Sequence, residues 1–449
     1  MTKILSNKSN IDLDYPICRP SLDLDFTQEV LDPRITFSRG SIGTRVNRNR
    51  LIETVSANQP RFDYDPVTGE CKGLLIEETR SNYFWGTQTG NGGTVSNGTA
   101  IGADGVTAKK FVPTLGNTSF PSIASRTDYT IPVGSQVTGG TVDISFSGYF
   151  ASLGNDLYTP DIVIQFTTGG TTNYIYAELL PNLTNGTVLQ KSGIGVNGVS
   201  ELISPQITLM PFGMYKVTWS VRYTQGATIR DTVGFYFQCR RKNSPSGATG
   251  TYYADGVNGF QFSCIQYEIG AFPTSYIPTT TSAVTRSADN ASMTGTNFSS
   301  WYNSSEGTVY TKANSNNLAN GGVIFIASNA SYSERYAQLG LTGNVGYGYG
   351  ATWNTNNSVI GGGAYTLVGD TYANGAYKKI AVSGIAGNFN GVSGNQILSS
   401  KKTNLYPSGI TQARIGSYNN NVSYLNGTIS RLTYYPRALK PNQLQYLTQ

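Results

Sequence analysis

The chain has 449 residues and no histidine among them, so a Ser-His-Asp or Cys-His relay is impossible, as is any zinc site that needs imidazole. The chemistry left open is a pair of carboxylates of the glycoside-hydrolase kind, facing each other across a sugar. The Asp and Glu residues of the body, from Asp104 to Asp370, fall in no recognisable motif, so no catalytic residue and no enzyme activity is expected. Asp12, Asp14, Asp23 and Asp25 recur in Asp-Leu-Asp units and could offer oxygens to Ca²⁺. A solvated strand face accounts for them equally well, and neither a metal nor a cofactor is expected. Cys18, Cys71, Cys239 and Cys264 contain no CxxC pair and fit neither a disulfide framework nor a zinc site. Cys239 and Cys264 lie in two strand-like runs and could face each other, but buried reduced thiols are the expectation, because free Cys packs as a small hydrophobe.

Binding residues are the better prospect. Tyr347 and Tyr349 (in Gly-Tyr-Gly-Tyr-Gly), Trp353, Tyr418 and Tyr424 lie in Gly/Asn-rich stretches that read as loops. Aromatic rings on loops can stack on a sugar while neighbouring Asn and Gly groups bond its hydroxyls, and a rigid sandwich carries its binding residues on loops. The competing reading packs these rings between subunits or onto a sheet. Arg39, Arg45, Arg48 and Arg50 cluster around Gly40 and Gly43. No aromatic is interleaved and acids lie close on both sides, which favours solvated turns or attachment to an acidic partner protein over nucleic acid.

The elements that must position these residues are strands. Gly is 52 residues, Tyr 30 and Phe 18, while charged residues are only 13%. Alternating Thr, Val, Tyr and Phe broken by Gly and Asn is the composition of strands and turns, and no long stretch carries a 3.6-residue apolar period. The fold class is therefore all-β. Residues 1–90 hold 11 basic and 12 acidic side chains, against 21 and 14 in the remaining 359. That shift places a boundary near residue 85, after a charge-rich N-terminal segment. Within that segment, Leu22, Leu24 and Phe26 alternate with Asp23 and Asp25 as a half-buried strand. Arg61 to Tyr64 and Cys71 to Ile76, joined by Asp65-Pro66-Val67-Thr68-Gly69, read as a β-hairpin, since Pro presets φ and Gly accepts positive φ.

From 86 to about 140 the chain is rich in Gly, Thr, Ser and Asn. Strand-like runs follow at 141–150, 161–167, 172–180, 214–223, 232–240 and 259–269, the pattern of a β-sandwich or jelly roll. Trp219, between Val217 and Val221, is expected in its core. Residues 272–286 read as an extended linker. A second strand series runs through 307–310, 322–327, 336–341, 377–382, 413–416 and 427–435, and Pro441 opens a short closing helical turn. The N-terminal ten residues lack the apolar core of a signal peptide, and no run approaches a membrane span, so no membrane insertion is expected.

Three stretches carry a family resemblance. Residues 22–37 and 61–80 (Arg-Phe-Asp-Tyr-Asp-Pro-Val-Thr-Gly-Glu-Cys-Lys-Gly-Leu-Leu-Ile-Glu-Glu-Thr-Arg) resemble the N-terminal module of virion structural proteins of tailed phages of marine bacteria and cyanobacteria. Residues 266–301 resemble the junction after the carbohydrate-binding-like jelly roll of such proteins. Residues 427–439 look like the last strand of a concanavalin A-like, laminin-G-like sandwich. The family's final helix often starts with a Ser or Asp cap, where Lys440 stands here.

The resemblance implies tandem antiparallel β-sandwiches in three parts: 1–85, an attachment or oligomerisation segment; 86–285, a jelly-roll, carbohydrate-binding-like domain; and 286–449, a concanavalin A-like sandwich. It further implies a virion protein, made in the bacterial cytoplasm and assembled on the particle as a homotrimer with other virion proteins. A tail fibre or adhesin contacting host surface glycans is the leading expectation. A capsid or tail decoration protein with no receptor role is the alternative, and a glycan depolymerase a weaker one.

Overall fold

Alternation of apolar and polar residues dictates which side of each strand turns inward, and this chain uses it to build two separate cores. The computed structural model describes residues 18–449 apart from 86–89, 117–120, 155–157, 169–173, 242–253, 317–321, 333–334, 343–344, 350–351, 354–358, 361–376, 386–387, 394–395, 402–408 and 419–422. Nearly all of the described pairing is antiparallel β-sheet, and the sheets form sandwich-like domains.

In the first sandwich, Gly93–Ile101, Thr107–Pro113, Gly259–Ile269, Thr141–Leu153, Tyr215–Thr224 and Val199–Leu209 form one six-stranded sheet in that order. The facing sheet runs Gly90–Asn91, Ser122–Thr130, Thr232–Arg241, Tyr158–Thr167, Tyr174–Pro181, Val188–Ser192. Val217, Trp219 and Val221 point from one sheet, and Ile162, Ile164 and Phe166 from the other, into a single apolar core. Trp219 has no solvent exposure. Full burial of such a side chain contributes roughly 2–3 kcal/mol relative to leaving it in water.

The second sandwich is discontinuous in sequence. Leu22–Asp25 pairs with the last strand, Gly427–Tyr435, setting Leu22 opposite Tyr434 and Leu24 opposite Leu432. Thr36–Ser38 pairs with Asn290–Thr294. The hairpin Phe62–Tyr64/Cys71–Ile76 joins the sheet of the last strand, with Ile76 opposite Gly427. Its turn forms as its residues dictate: Asp65 Oδ1 accepts the Val67 and Thr68 amides, and Gly69 has φ +77°. Leu22, Leu24, Phe26, Leu74 and Ile76 thus share a core with Met293, Phe325, Ile415 and Leu432. The charge-rich segment, expected to stand apart as an attachment element, instead supplies strands to the C-terminal sandwich, because its apolar positions alternate and need that core.

The first sandwich is therefore inserted into the second. The chain passes between them through a two-stranded ribbon, Arg80–Asn82 against Val284–Arg286. The expected linker 272–286 is a fixed strap: Ile277 is buried, and its amide donates to Gln266 Oε1 at 2.6 Å. The closing helix spans Pro441–Thr448 and buries Leu444. Lys440 cannot cap it as Ser would, but the Gln443 side chain accepts the Lys440 amide at 2.9 Å. None of the four cysteines forms a disulfide. Cys239 faces the core of the inserted sandwich, whereas Cys264 sits in a different cluster beside Met210 and Tyr149.

Candidate functional site

Of the five aromatics expected to contact sugar, three lie where their rings are not described. Tyr347 and Tyr349 fall on a strand, Val345–Tyr349, paired with Arg335–Thr342, so the Gly-Tyr-Gly-Tyr stretch is not the loop that its glycines suggested. Trp353 belongs to the two-residue strand Thr352–Trp353. The side chains of all three lie outside the described residues. Tyr424 is a core residue, 3% exposed, whose hydroxyl meets Asn290 Oδ1 at 3.2 Å. Its ring offers no face to a ligand, because the chain after the 419–422 stretch turns inward to pair its next strand.

Tyr418 is the one described member of the five on an accessible surface, and it is half-buried. Its ring lies 5.5 Å from that of Tyr332 at 49°, and the guanidinium of Arg414 sits 5.8 Å from the Tyr332 ring centroid. Tyr332 has φ +58°, an unusual backbone for a bulky residue. The Arg414 Nε–H is buried with no partner among the described residues. Two aromatic faces beside a donor-rich guanidinium can stack on a ring and bond a hydroxyl or carboxylate. Sequence reading missed Tyr332 and Arg414, which lie 86 and four residues from Tyr418 and are joined to it only by the pairing of Gly322–Ser328 with Gln412–Ile415.

The arginine cluster also resolves differently from expectation. Arg39 is 1% exposed and donates to Asp289 Oδ1 at 3.0 Å and to the carbonyls of Ser41, Ser56 and Gln59. Arg45 pairs with Glu53 at 2.6 Å, and Arg48 with Glu29 at 2.7 Å. Arg50, at φ +66°, packs beside Gly69 in the hairpin turn. The four therefore form no common patch for a partner protein, and the acids that Arg39, Arg45 and Arg48 answer belong to this chain. Local spacing could not reveal this, because Asp289 is 250 residues away from Arg39.

Asp289 is the centre of a buried ionic junction between the ribbon, the strap and the hairpin. It also accepts from Arg61 and from the Glu77 amide at 3.0 Å. Glu77 takes the Ser275 amide and hydroxyl at 2.8 and 2.6 Å, pairs with Arg61 at 2.9 Å, and lies 3.4 Å from Arg286. Burial works to raise the Glu77 carboxyl, but Arg286 and Arg61 outweigh it and hold it at about 2.

Among the described residues no group of three or more His, Cys, Asp or Glu side chains could hold a metal ion. The four cysteines contain no CxxC pair. No protein-family model and no curated protein matches it. Several solved structures are similar at low identity. The binding domain of botulinum neurotoxin serotype G is similar over 35% of this chain and 39% of that one, at 15% identity and a TM-score of 0.26. NanB with Optactamide is similar over 35% and 26%, at 11% identity and a TM-score of 0.29. Domains LG4-5 of the mouse laminin α1 chain are similar over 85% and 96%, at 11% identity and a TM-score of 0.22. The chain thus spans about two fifths of the toxin domain and a quarter of NanB. Scores this low add no argument to the topology, which by itself defines an all-β chain of antiparallel sandwich domains.

Proposed function

We propose that this chain is a structural protein of a tailed-phage virion, a tail fibre or adhesin whose discontinuous sandwich contacts host surface glycans. One observation carries the reading. The stretches that carry the resemblance, 22–37 with 61–80 and 266–301 to phage virion proteins and 427–439 to the last strand of a concanavalin A-like sandwich, are far apart in sequence yet form one contiguous unit. Arg61 and Glu77 of the first meet Asp289 of the second, and Leu74 to Ile76 pair with Ile429 to Gly427 of the third. The Tyr332–Tyr418–Arg414 patch supports a contact with sugars. Assembly on the particle as a homotrimer beside other virion proteins belongs to the same proposal.

Immunogold microscopy of intact virions, with antibody against residues 286–449, tests it. Gold at the tail tip or fibres is expected. Gold spread over the head would replace the adhesin with a decoration protein lacking a receptor role, and particles without gold would overturn the virion assignment.

A further inference from the structure

Where the inserted sandwich meets the discontinuous one, a cleft of about 300 Å³ opens between them. One wall is the outer face of the inserted sandwich. Alternation along Thr141–Leu153 and Tyr215–Thr224 sends Phe146, Val217 and Trp219 into the core and leaves Tyr149, Lys216 and Thr218 facing the cleft. Gln206 lies beside them. The opposite wall is the hairpin, which contributes Asp63 and Lys72. This volume is at the small end of ligand pockets and suits a mono- or disaccharide.

The charges in this cleft are not balanced as they are elsewhere at the junction. Arg45, Arg61, Arg80 and Arg286 all have carboxylate partners within 4.0 Å. Lys72 and Lys216 have none among the described residues, and the Lys216 ammonium rests 6.0 Å from the Tyr149 ring centroid. Asp63 spends one carboxylate oxygen on the Val46 amide at 2.8 Å. Two lysines against one acid leave a net charge of +1. Burial, with Lys72 adding to it, pushes the Lys216 ammonium below its usual range. Two half-buried cations that disfavour each other are relieved by an anion placed between them.

We propose that this cleft binds an acidic saccharide, its carboxylate between Lys72 and Lys216 and its hydroxyls met by Asp63, Gln206 and Thr218. The inference rests on the glycan-contact reading for the class of ligand. Its position is independent of that reading, because the cleft is a different surface from the Tyr332–Tyr418 patch.

Calorimetric titration of the full chain with D-glucuronate, D-glucose and acetate tests the assignment. Glucuronate is expected to bind, with glucose and acetate each about tenfold weaker or worse, since each lacks one half of the recognition. K216Q should weaken glucuronate by about tenfold or more, and K72Q, on the other wall, should do the same if K216Q fails to fold. R431A, at an exposed ion pair outside the cleft lining, should leave the titration unchanged. Equal binding of acetate and glucuronate, no binding of glucuronate, or folded lysine variants that bind as tightly as the parent would each overturn the proposal. A glycan array separates the two readings. Array binding abolished by Y418A, with no glucuronate titration, sinks the cleft alone. A lysine-dependent titration with no array binding supports the cleft and sinks the adhesin.

Discussion

Replacing Asp289 by alanine should uncouple the two sandwiches more than any single surface change. The Asp289 carboxylate has no solvent exposure and accepts from Arg39 at 3.0 Å, from Arg61, and from the Glu77 amide at 3.0 Å. With it gone, Arg39, Arg61 and Arg286 face Glu77 alone, and the buried cluster goes from three cations against two anions to three against one. Breaking a buried pair by removing one partner costs about 3–5 kcal/mol, roughly a 200- to 5,000-fold change in the unfolding equilibrium. The Asp23–Arg431 pair is the control. It is 2.6 Å long and joins segments 408 residues apart, but its side chains are 39% and 44% exposed. R431A should therefore cost no more than about 1 kcal/mol. Urea unfolding followed by tryptophan fluorescence reads both variants, with Trp301 reporting the discontinuous sandwich and Trp219 the inserted one. The D289A deficit should persist in 1 M NaCl, because salt screens buried pairs poorly. A D289A cost within about 1 kcal/mol of that of R431A would refute the claim that this junction is held by buried charge.

The same junction should respond to acid. Glu77 has a folded pKa of about 2 against an ordinary 4.5. Its contribution is therefore present above about pH 4.5 and lost as pH falls toward 2, and unfolding midpoints measured across that window should drop in the parent and flatten in E77Q. Gly73 has φ +94°, and a Cβ there would lie 2.2 Å from the Ile429 carbonyl oxygen. G73A should thus cost about 2–5 kcal/mol through strain and overpacking, read as a fall in Tm with loss of exchange protection along Gly427–Tyr435. Tyr424 and Tyr418 should separate stability from binding: Y424A loses about 3–5 kcal/mol in a thermal melt. Y418A keeps its Tm within the range of a surface change and loses glycan-array signal. An array signal that survives Y418A would remove the Tyr332–Tyr418 patch from consideration.

Strands with one buried face were legible from local pattern. The runs expected at 232–240, 259–269 and 427–435 match the observed Thr232–Arg241, Gly259–Ile269 and Gly427–Tyr435, because large apolar residues recur at alternate positions in parts of each: Val233, Phe235 and Phe237, then Phe260 and Phe262, then Leu432 and Tyr434. Gly93–Ile101 and Val199–Leu209 were not legible. Their side chains are largely exposed or half-buried, mostly Thr, Ser, Asn and Gly in the first and a mix of apolar and polar residues interrupted by Pro205 in the second, so the strands are fixed by hydrogen bonding to neighbours and not by an apolar face. Nor did the sequence disclose which core a strand joins. Leu22 and Leu24 announced a half-buried strand, but their partner lies more than 400 residues on. The candidate site followed the same division. Tyr418 could be singled out by residue type, whereas Tyr332 and Arg414 come to it only through sheet pairing. Composition alone cannot tell a core tyrosine such as Tyr424 from an exposed one.

Insertion explains why the charges collect where they do. A sandwich inserted into another must leave and re-enter its host at adjacent points, and here those points are the ribbon Arg80–Asn82/Val284–Arg286. A two-stranded ribbon is only marginally stable alone, so the orientation of the two bodies must be set by what packs around it. An apolar patch would hold them but would specify little, since hydrophobic contact is non-directional. The arginine–carboxylate network is directional. Arg61 can satisfy Asp289, Glu77, the Thr44 carbonyl and the Ser275 hydroxyl together only in one arrangement of hairpin, strap and strand. The outer sheet face that meets it is correspondingly polar, with Ser145, Ser147, Gln266 and Glu268 buried there. Glu268 accepts the Thr274 amide at 2.8 Å and so ties that face to the strap. The charge-rich start of the chain thus acts as a keyed joint, and Lys72 and Lys216 of the cleft stand out beside Arg45, Arg61, Arg80 and Arg286, which are already matched by carboxylates.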